Sequence, residues 1–524
     1  MPSHRLARLV ALGGALLVAV GAAQPQSHRF DLLTATIADI QDAVDAGAVT
    51  YEKLVTLYLN RIDAYDKKGP RLNAVIAINP KAVGIARALD EERRIKGRRG
   101  PLHGIPVAIK DNVDVADMPS AGASLAFAGS YPARDATVVS RLRDAGAIIF
   151  LKTNMDELAL GSRGLSSLGG QILDPYDLTR NPGGSSGGTG VAVNVAFATV
   201  GVGTETGVSI RSPATNNAIV GIAPTRGLVS RAGVIPISFT QDRIGSHGRN
   251  VVDAAQLLDA IRGFDAEDLS TAEGLARAPA RPIAEVGGGG LRGSRIGVLR
   301  DLFRQGQMFA AGNALIDKHI ETLRSSGAEI VTDLTTGEDL IGAMPRLRVN
   351  SFELQSAFDA YLRRRGPDSP VKTFAELARM DVFARGGTLA QRFQETLSAG
   401  DLNRNAEYLS RLEHQRKIRQ LLVDLLDRHR LDALVYPLKS LPAPPIGTSD
   451  DGPRDNNISA ITGLPAIVVH VGMTADGLPL SIEFLGRPFG DWRLAELAHA
   501  YETARGARAL PPTTPHLQGE VFSF

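Results

Sequence analysis

The sequence predicts an α/β fold, because short buried strands alternate with helices along the chain. Residues 105–109 form an apolar run that is typical of a buried strand. Residues 138–145 show helical periodicity that stops at Gly146, and residues 147–151 form a second apolar run. This succession of strand, helix and strand is the repeating unit of α/β proteins.

The same alternation extends over most of the chain. Residues 31–66 carry helical periodicity, and a glycine-serine loop at 181–190 precedes a stretch, 191–203, predicted to be helix and then strand. A four-glycine linker, 287–290, leads into charged and mostly helical residues, 300–435, which we expect to form a cap or insertion. Three further strands are predicted at 296–299, 466–471 and 480–485.

The first residues predict a targeting segment. Arg5 and Arg8 precede an apolar stretch, Leu9 to Ala23, which ends in small residues. As a helix it would reach about 22 Å, short of the roughly 30 Å hydrocarbon core of a bilayer. We therefore expect a signal peptide at 1–23, export to the periplasm or the medium, and a single domain over 24–524; an uncleaved anchor is the alternative. No later run is apolar enough to span a membrane, so no stable membrane insertion is expected after cleavage.

Composition excludes several classes of function. The formal charge is +2, and loss of Arg5 and Arg8 would bring the mature chain close to neutrality, which gives no electrostatic basis for nucleic acid binding. There are no cysteines, so disulfides, thiolate metal sites and a cysteine nucleophile are excluded. None of the ten histidines belongs to a His-Glu-x-x-His zinc motif, and we expect neither a metal nor another cofactor.

Three segments have a composition that packing alone does not require: Gly104 to Asn112, Gly183 to Gly188, and Gly201 to Arg211. The second lacks the lysine of a phosphate-binding loop. It does satisfy the Gly-x-Ser-x-Gly pattern of a nucleophile elbow, but an elbow needs a buried strand directly before Ser185. The preceding residues, 174–182, are polar and contain two prolines, which favours a loop.

Together the three segments resemble the amidase signature family. The match consists of Gly-Ile-Pro-Val-Ala-Ile-Lys110-Asp-Asn, Gly-Gly-Ser185-Ser-Gly-Gly and Gly-Thr-Glu-Thr-Gly-Val-Ser209-Ile-Arg, in the family's order and spacing. Flanking residues agree at 152–157, 221–231 and 463–466, so the resemblance covers roughly residues 30–510. Residues 227–242 look most like bacterial amidases of the peptide-amidase kind. The resemblance implies a large mixed β-sheet covered by helices on both faces, with a mostly helical insertion.

The resemblance also implies a Ser-Ser-Lys triad. Ser209 would attack the amide carbonyl, Ser185 would be the bridging serine after a cis peptide bond, and Lys110 would be the base. A serine hydroxyl is a weak nucleophile that needs such a base. A lysine can act as that base only when neutral, and burial beside an apolar strand lowers its pKa.

Residues around the nucleophile are expected to support it. The backbone N–H groups of Thr206, Gly207 and Val208 would stabilise the oxyanion. Glu205 and Arg211 would form an ion pair, for which two solvated charges are the alternative, while Thr204 and Asp242 would add hydrogen bonds. The family usually has glycine at Val208, and a β-branched residue resists positive φ. Either the backbone there is ordinary or the oxyanion loop is displaced.

The resemblance predicts an amide hydrolase that acts on a small-molecule or peptide amide. Two alternatives stay open: the glutaminase subunit of a tRNA-dependent amidotransferase, and a non-catalytic protein on the same scaffold. The leader argues against the first, because that work is cytoplasmic, and the retained triad residues argue against the second. The sequence specifies neither the amide, ester or carbamate that would be cleaved nor the oligomeric state.

Overall fold

A computed structural model describes residues 28–288, 290–448 and 456–524. The predicted signal peptide at 1–23 lies outside these residues. In the part of the chain that is described, no helix has the length and apolar character needed to cross a bilayer.

The centre of the fold is a large mixed sheet of eleven strands among the described residues. The strands of the chain are β1 (Arg29–Asp31), β2 (Val75–Ile78), β3 (Pro106–Lys110), β4 (Ile148–Thr153), β5 (Leu165–Ser166), β6 (Gly170–Gln171), β7 (Val200–Glu205), β8 (Val220–Ala223), β9 (Arg243–Gly248), β10 (Arg295–Leu299), β11 (Glu329–Leu334), β12 (Ala433–Pro437), β13 (Ala466–Met473), β14 (Pro479–Leu485) and β15 (Val521–Ser523). The order in the large sheet is β11-β10-β12-β14-β13-β8-β9-β7-β3-β4-β2.

Parallel and antiparallel pairs are mixed in this sheet. Strand β3 runs parallel to β4 and β7, and β10 runs parallel to β11 and β12. The other neighbours, such as β7 with β9 and β13 with β14, are antiparallel. Strands β1 and β15 form a separate pair, as do β5 and β6. The fold is therefore the mixed α/β sheet that the resemblance implied.

Helices pack against the sheet and against one another. The α-helices of the described residues are α1 (Ile37–Asp45), α2 (Tyr51–Arg61), α3 (Ala82–Lys96), α4 (Thr137–Asp144), α5 (Gly187–Asn194), α6 (Arg211–Asn216), α7 (Val251–Ile261), α8 (Thr271–Arg277), α9 (Gln307–Ser325), α10 (Leu340–Leu347), α11 (Asn350–Arg365), α12 (Phe374–Leu377), α13 (Leu389–Leu397), α14 (Ala406–Arg428), α15 (Ile458–Thr462) and α16 (Asp491–Arg505). Helix α5 packs on β3 and β7, α7 packs on β7, β8 and β9, and α16 packs on β13.

Helices α1 and α2 begin where side chains cap them. Thr36 and Asp39 form a capping box at α1, and Thr50 accepts a hydrogen bond from Lys53 N–H at α2. A short π-helical segment, Ile62–Lys67, continues α2, so helix fills much of the 31–66 region in which the sequence predicted it.

Two sequence predictions were wrong in part. The glycine-serine loop does not extend to residue 190, because α5 already begins at Gly187. A Cβ at Gly188 would overlap the carbonyl oxygen of Asn154, so glycine lets this helix start against the neighbouring backbone. The region 300–435 is not only a helical insertion, because it contributes β11 and most of β12 to the large sheet.

The register of the sheet brings the three candidate segments together. Ile109 on β3 pairs with Val202 on β7, and the two strands are parallel, so their carboxyl ends lie side by side. Lys110 is the last residue of β3 rather than the first residue after it, and Glu205 ends β7. The residues that follow β7 therefore lie next to Lys110.

Candidate active site

Lys110 and Ser185 form the centre of the site. The Nζ of Lys110 donates a hydrogen bond to Ser185 Oγ at 2.7 Å. It also donates to the Oγ1 and the carbonyl oxygen of Thr204, at 2.9 and 3.2 Å. Both Lys110 and Ser185 are fully buried.

Burial changes the protonation of Lys110. Loss of solvation lowers the pKa of this ammonium group from 10.5 to about 7, although the carboxylates of Asp156, Glu205 and Asp242 pull it upward. A substantial share of the lysine is then neutral near pH 7, when it can accept a proton from a hydroxyl.

The backbone around Ser185 is held by Asp156. The peptide bond between Gly184 and Ser185 is cis. Asp156 N–H donates to the carbonyl oxygen of Ser185 at 3.2 Å, and a Cβ at Gly184 would overlap the Asp156 carboxylate. Residues 172–186 are all described and contain no strand, so Ser185 does not sit on a nucleophile elbow.

Ser209 lies between the end of β7 and the start of α6. Its carbonyl oxygen accepts a hydrogen bond from Ser186 N–H at 3.2 Å, which ties the two serine-bearing loops together. Ser186 Oγ instead donates to the Thr204 carbonyl at 3.2 Å, and it forms no hydrogen bond with Lys110. The geometry thus distinguishes the two neighbouring serines, since only Ser185 hydrogen bonds to the lysine.

Three hydrogen bonds orient the loop before Ser209. The carbonyl of Thr206 accepts from Gln241 Nε2 at 3.0 Å, and the carbonyl of Gly207 accepts from Arg211 Nη2 at 2.7 Å. The carbonyl of Val208 accepts from Ser212 N–H at 2.7 Å. In a trans peptide the N–H points opposite to the C=O, so the N–H groups of Gly207, Val208 and Ser209 are directed away from these partners.

Val208 has an ordinary backbone conformation. It is absent from the residues with positive φ, and its side chain packs in an apolar cluster with Val193 and Leu438. The sequence left two alternatives for this position, an ordinary backbone or a displaced oxyanion loop. The structure has the ordinary backbone, without a left-handed conformation at Val208.

A buried network of charges supports the loop. Arg211 Nε pairs with Glu205 at 3.0 Å, and Arg211 Nη1 pairs with Glu483 on β14 at 2.6 Å. Arg243 also pairs with Glu205, at 2.5 Å. Burial alone would raise the pKa of Glu205, but Arg211 and Arg243 outweigh burial and hold that pKa below its ordinary value. Glu205 and Arg211 are thus buried partners rather than solvated charges.

Asp242 and Gln241 connect the same loop to the helical region. Asp242 accepts a hydrogen bond from Thr206 Oγ1 at 2.6 Å. Gln241 donates to the Thr206 carbonyl, and its Oε1 accepts from Val349 N–H at 3.1 Å, just before α11. The loop 238–242 therefore bridges the residues before Ser209 and the start of α11.

Several residues of the site were missed by sequence reasoning. They are Asp156, Asn112, Gln241, Arg243 and Glu483, which hold or neighbour the predicted residues. Asn112 and Asp156 lie in segments that carried the resemblance, so they could have been named. Among the described residues, no cluster of three carboxylate or imidazole side chains suits a metal ion.

The chain is similar to known proteins over most of its length. A family model described as Amidase matches residues 53–495. The chain is 35% identical to a probable amidase of Arabidopsis thaliana, over 96% of both chains. It is 33% identical to a glutamyl-tRNA(Gln) amidotransferase subunit of Azoarcus sp., over 90% of this chain and 98% of the relative.

Solved structures are similar as well. The native peptide amidase of Stenotrophomonas maltophilia superposes with a TM-score of 0.82 and is 36% identical, over 91% of this chain and 98% of that one. An amidase family protein of Bacillus anthracis superposes with a TM-score of 0.81 at 30% identity, over 92% of both chains. The chain therefore shares its fold with these proteins over nearly its whole length.

Proposed function

The chain belongs to the amidase signature family, and we propose that it hydrolyses carboxamide C–N bonds through an acyl-enzyme on Ser209. The family and the peptide amidase neighbour support a hydrolase that acts on carbon–nitrogen bonds. The observation that carries the mechanism is the 2.7 Å hydrogen bond between Lys110 Nζ and Ser185 Oγ in a fully buried setting.

In the proposed reaction, Ser209 Oγ attacks the carbonyl carbon of the amide. Its proton passes to Ser185 Oγ while the proton of Ser185 passes to neutral Lys110. The backbone N–H groups of the 206–208 loop stabilise the negative oxygen of the tetrahedral intermediate. The relay requires a hydrogen bond between the hydroxyls of Ser185 and Ser209, and catalytic bonds of this kind tighten when substrate binds.

The C–N bond then breaks, and the protonated lysine returns its proton through Ser185 to the leaving nitrogen. The acyl group stays on Ser209 until water, activated by the same relay, releases the carboxylic acid. No cofactor takes part in these steps, because the lysine and the two serines supply every proton transfer.

Hydrolysis of a panel of aliphatic, aryl and peptide amides, with the matching esters, tests this proposal. We expect turnover by the wild-type protein and none above background by folded Ser209→Ala. A fluorophosphonate probe should label Ser209, as shown by peptide mass spectrometry. A protein that hydrolyses no member of the panel and takes up no label would be the non-catalytic alternative.

A second function, the glutaminase component of an amidotransferase, is favoured by one observation. Several curated relatives at 30–34% identity are named as glutamyl-tRNA(Gln) amidotransferase subunits. We propose the stand-alone hydrolase first because the basic and apolar N-terminus suggests export. Co-purification with a partner protein, and glutaminase activity that depends on it, would reverse this order.

Export is part of the same proposal. Expression of the full chain, followed by fractionation and N-terminal sequencing of the exported form, would test cleavage near Ala23. An intact N-terminus in the membrane fraction would support the anchor instead.

A further inference from the structure

A large cavity lies beside the catalytic lysine. Its volume is about 620 Å³, and its lining includes the consecutive residues Thr204, Glu205 and Thr206. Apolar side chains form most of the wall, among them Val234, Ile235 and Ala360. A cavity of this size suits an organic group, because a water or ammonia molecule needs only roughly 30 Å³.

Thr204 connects the lining of the cavity to the lysine of the proposed proton relay. Thr204 Oγ1 accepts hydrogen bonds from Lys110 Nζ at 2.9 Å and from Asn112 Nδ2 at 3.0 Å. Thr204 and Asn112 both line the cavity, whereas Lys110 contacts Ser185 on its other side. A group in the cavity would therefore lie close to the atoms that return the proton to the leaving nitrogen.

Asn112, one of the lining residues, has a buried side-chain acceptor without a donor among the described residues. Its side chain is 1% exposed, and its Oδ1 accepts no hydrogen bond from any residue that the structure describes. An unsatisfied buried acceptor is unfavourable and is matched by a ligand that carries an N–H or O–H group. An amide nitrogen that bears one hydrogen and one carbon substituent has both the donor and the apolar body that this cavity fits.

Charges of both signs line the cavity. Arg134 and Arg364 pair with Glu267, and Arg231 pairs with Asp268. The whole lining has four arginines and four carboxylates, so its formal charges balance and give no strong preference for a charged ligand. The walls therefore favour an uncharged substituent.

We propose that this cavity binds the amine portion of the substrate, so that the enzyme cleaves N-substituted amides with an apolar amine rather than primary amides alone. The inference rests on the hydrolase proposed above. In the step concerned, the bond between the acyl carbon and the substituted nitrogen breaks, and the proton held by Lys110 passes through Ser185 to that nitrogen. The products are the acyl-enzyme and a free alkyl- or arylalkylamine, which leaves through the cavity.

A leaving-group series tests the assignment. The acyl group that the wild-type protein hydrolyses best would be kept, and the amine varied from ammonia through methylamine and butylamine to benzylamine. We expect kcat/KM to increase by up to about fourfold for each methylene that the cavity buries. A flat or falling series in the wild-type protein would overturn the proposal.

Two variants on α11 sharpen the test. Ala360→Leu fills part of the cavity, and we expect it to lower the ratio of kcat/KM for the N-benzyl amide over the primary amide by about tenfold or more. Ser356→Leu adds the same side chain at an exposed position of the helix that does not line the cavity, and it should leave both values as in the wild-type protein. An unchanged ratio in Ala360→Leu would contradict the proposal.

Inhibition by free benzylamine tests whether the cavity binds the amine portion of the substrate or an independent effector. As a product of the reaction, benzylamine should inhibit the wild-type protein. Ala360→Leu should weaken this inhibition, and it should lower kcat/KM for the N-benzyl amide to a similar extent. Activation of the primary amide reaction by benzylamine, lost in Ala360→Leu, would assign the cavity to an effector instead. If no amide is hydrolysed in a Ser209-dependent way, the hydrolase proposal itself fails. Hydrolysis that depends on Ser209 but not on the size of the amine would contradict only the assignment of the cavity.

Discussion

The Nζ of Lys110 lies 2.7 Å from the Oγ of Ser185, and both side chains are closed off from solvent. Ser185 is thus the only one of the two adjacent serines, 185 and 186, that the lysine contacts. This hydrogen bond makes Ser185, rather than Ser186, the serine of the glycine-serine loop in the proposed proton relay.

Replacement of either member of the pair should abolish the proposed activity. We expect Lys110→Met and Ser185→Ala each to lower kcat/KM for amide hydrolysis by about a thousandfold or more, because the nucleophile loses its base. Ser186→Ala, which leaves the lysine contact in place, should cost at least tenfold less than Ser185→Ala. The assay is steady-state kinetics with circular dichroism as the folding control, and equal losses at the two serines would argue against the assignment.

The pH dependence of the rate should follow Lys110. Its pKa is lowered to about 7 by burial, and only the neutral amine accepts a proton. The value of kcat/KM should therefore increase with pH through about 7 and level off above it. A profile of kcat/KM from pH 5 to 9 measures this, and a maximum in the acidic range would exclude a lysine base.

The same shift makes a prediction about stability. The unfolded chain keeps a proton on this lysine up to about 10.5, whereas the native protein releases it above about 7. Between these values the unfolded state binds more protons, so raising the pH stabilises the native state. Urea denaturation at several pH values measures the free energy of unfolding. Its increase with pH between about 7 and 10.5 should be smaller in Lys110→Met than in the wild-type protein. Identical slopes would mean that the lysine is not desolvated.

Gln241 should matter for turnover more than for binding. Its amide holds the Thr206 carbonyl and the Val349 N–H, and the carbonyl orientation sets the direction of the Gly207 N–H. We expect Gln241→Leu to lower kcat by about tenfold with a smaller change in KM, because an oxyanion donor acts chiefly in the transition state. A change confined to KM would instead indicate a role in substrate binding.

The charge network should be important for folding. Arg211→Met leaves Glu205 and Glu483 buried with one fewer cation, which we expect to reduce the free energy of unfolding by about 3–5 kcal/mol. Arg324→Met, which removes an exposed pair with Glu321, should cost about 0.5 kcal/mol or less. Chemical denaturation of both variants makes the comparison, and similar losses would show that burial adds nothing.

The sequence predicted the local parts of this site better than the distant ones. Strands β3 and β4 were predicted within two residues because each is a short apolar run. The start of α5 was missed because glycines are usual in loops, and the close approach of the Asn154 and Ala74 backbones that requires glycine at position 188 is not visible in the sequence. Strand β11 was missed because Glu329 and Asp333 leave only a short apolar run between them, and because the strand lies at the edge of the sheet.

Partners far apart along the chain were not predictable from local pattern. Glu483 is 272 residues from Arg211, and Val349 is 108 residues from Gln241. No periodicity or motif connects such positions, since their proximity is a product of the strand order. Lys110, Ser185 and Ser209 were named only because their neighbours resemble a known family.

The position of Glu483 has a consequence for synthesis of the protein. This residue lies on β14, which occupies the position between β12 and β13 in the large sheet. Its carboxylate pairs with Arg211, which follows Ser209 by two residues. A nascent chain that has emerged only as far as β13 cannot form that ion pair. Hydrolytic competence should therefore arise only after β14 has left the ribosome, and chains truncated before β14 should be inactive however well the preceding strands fold.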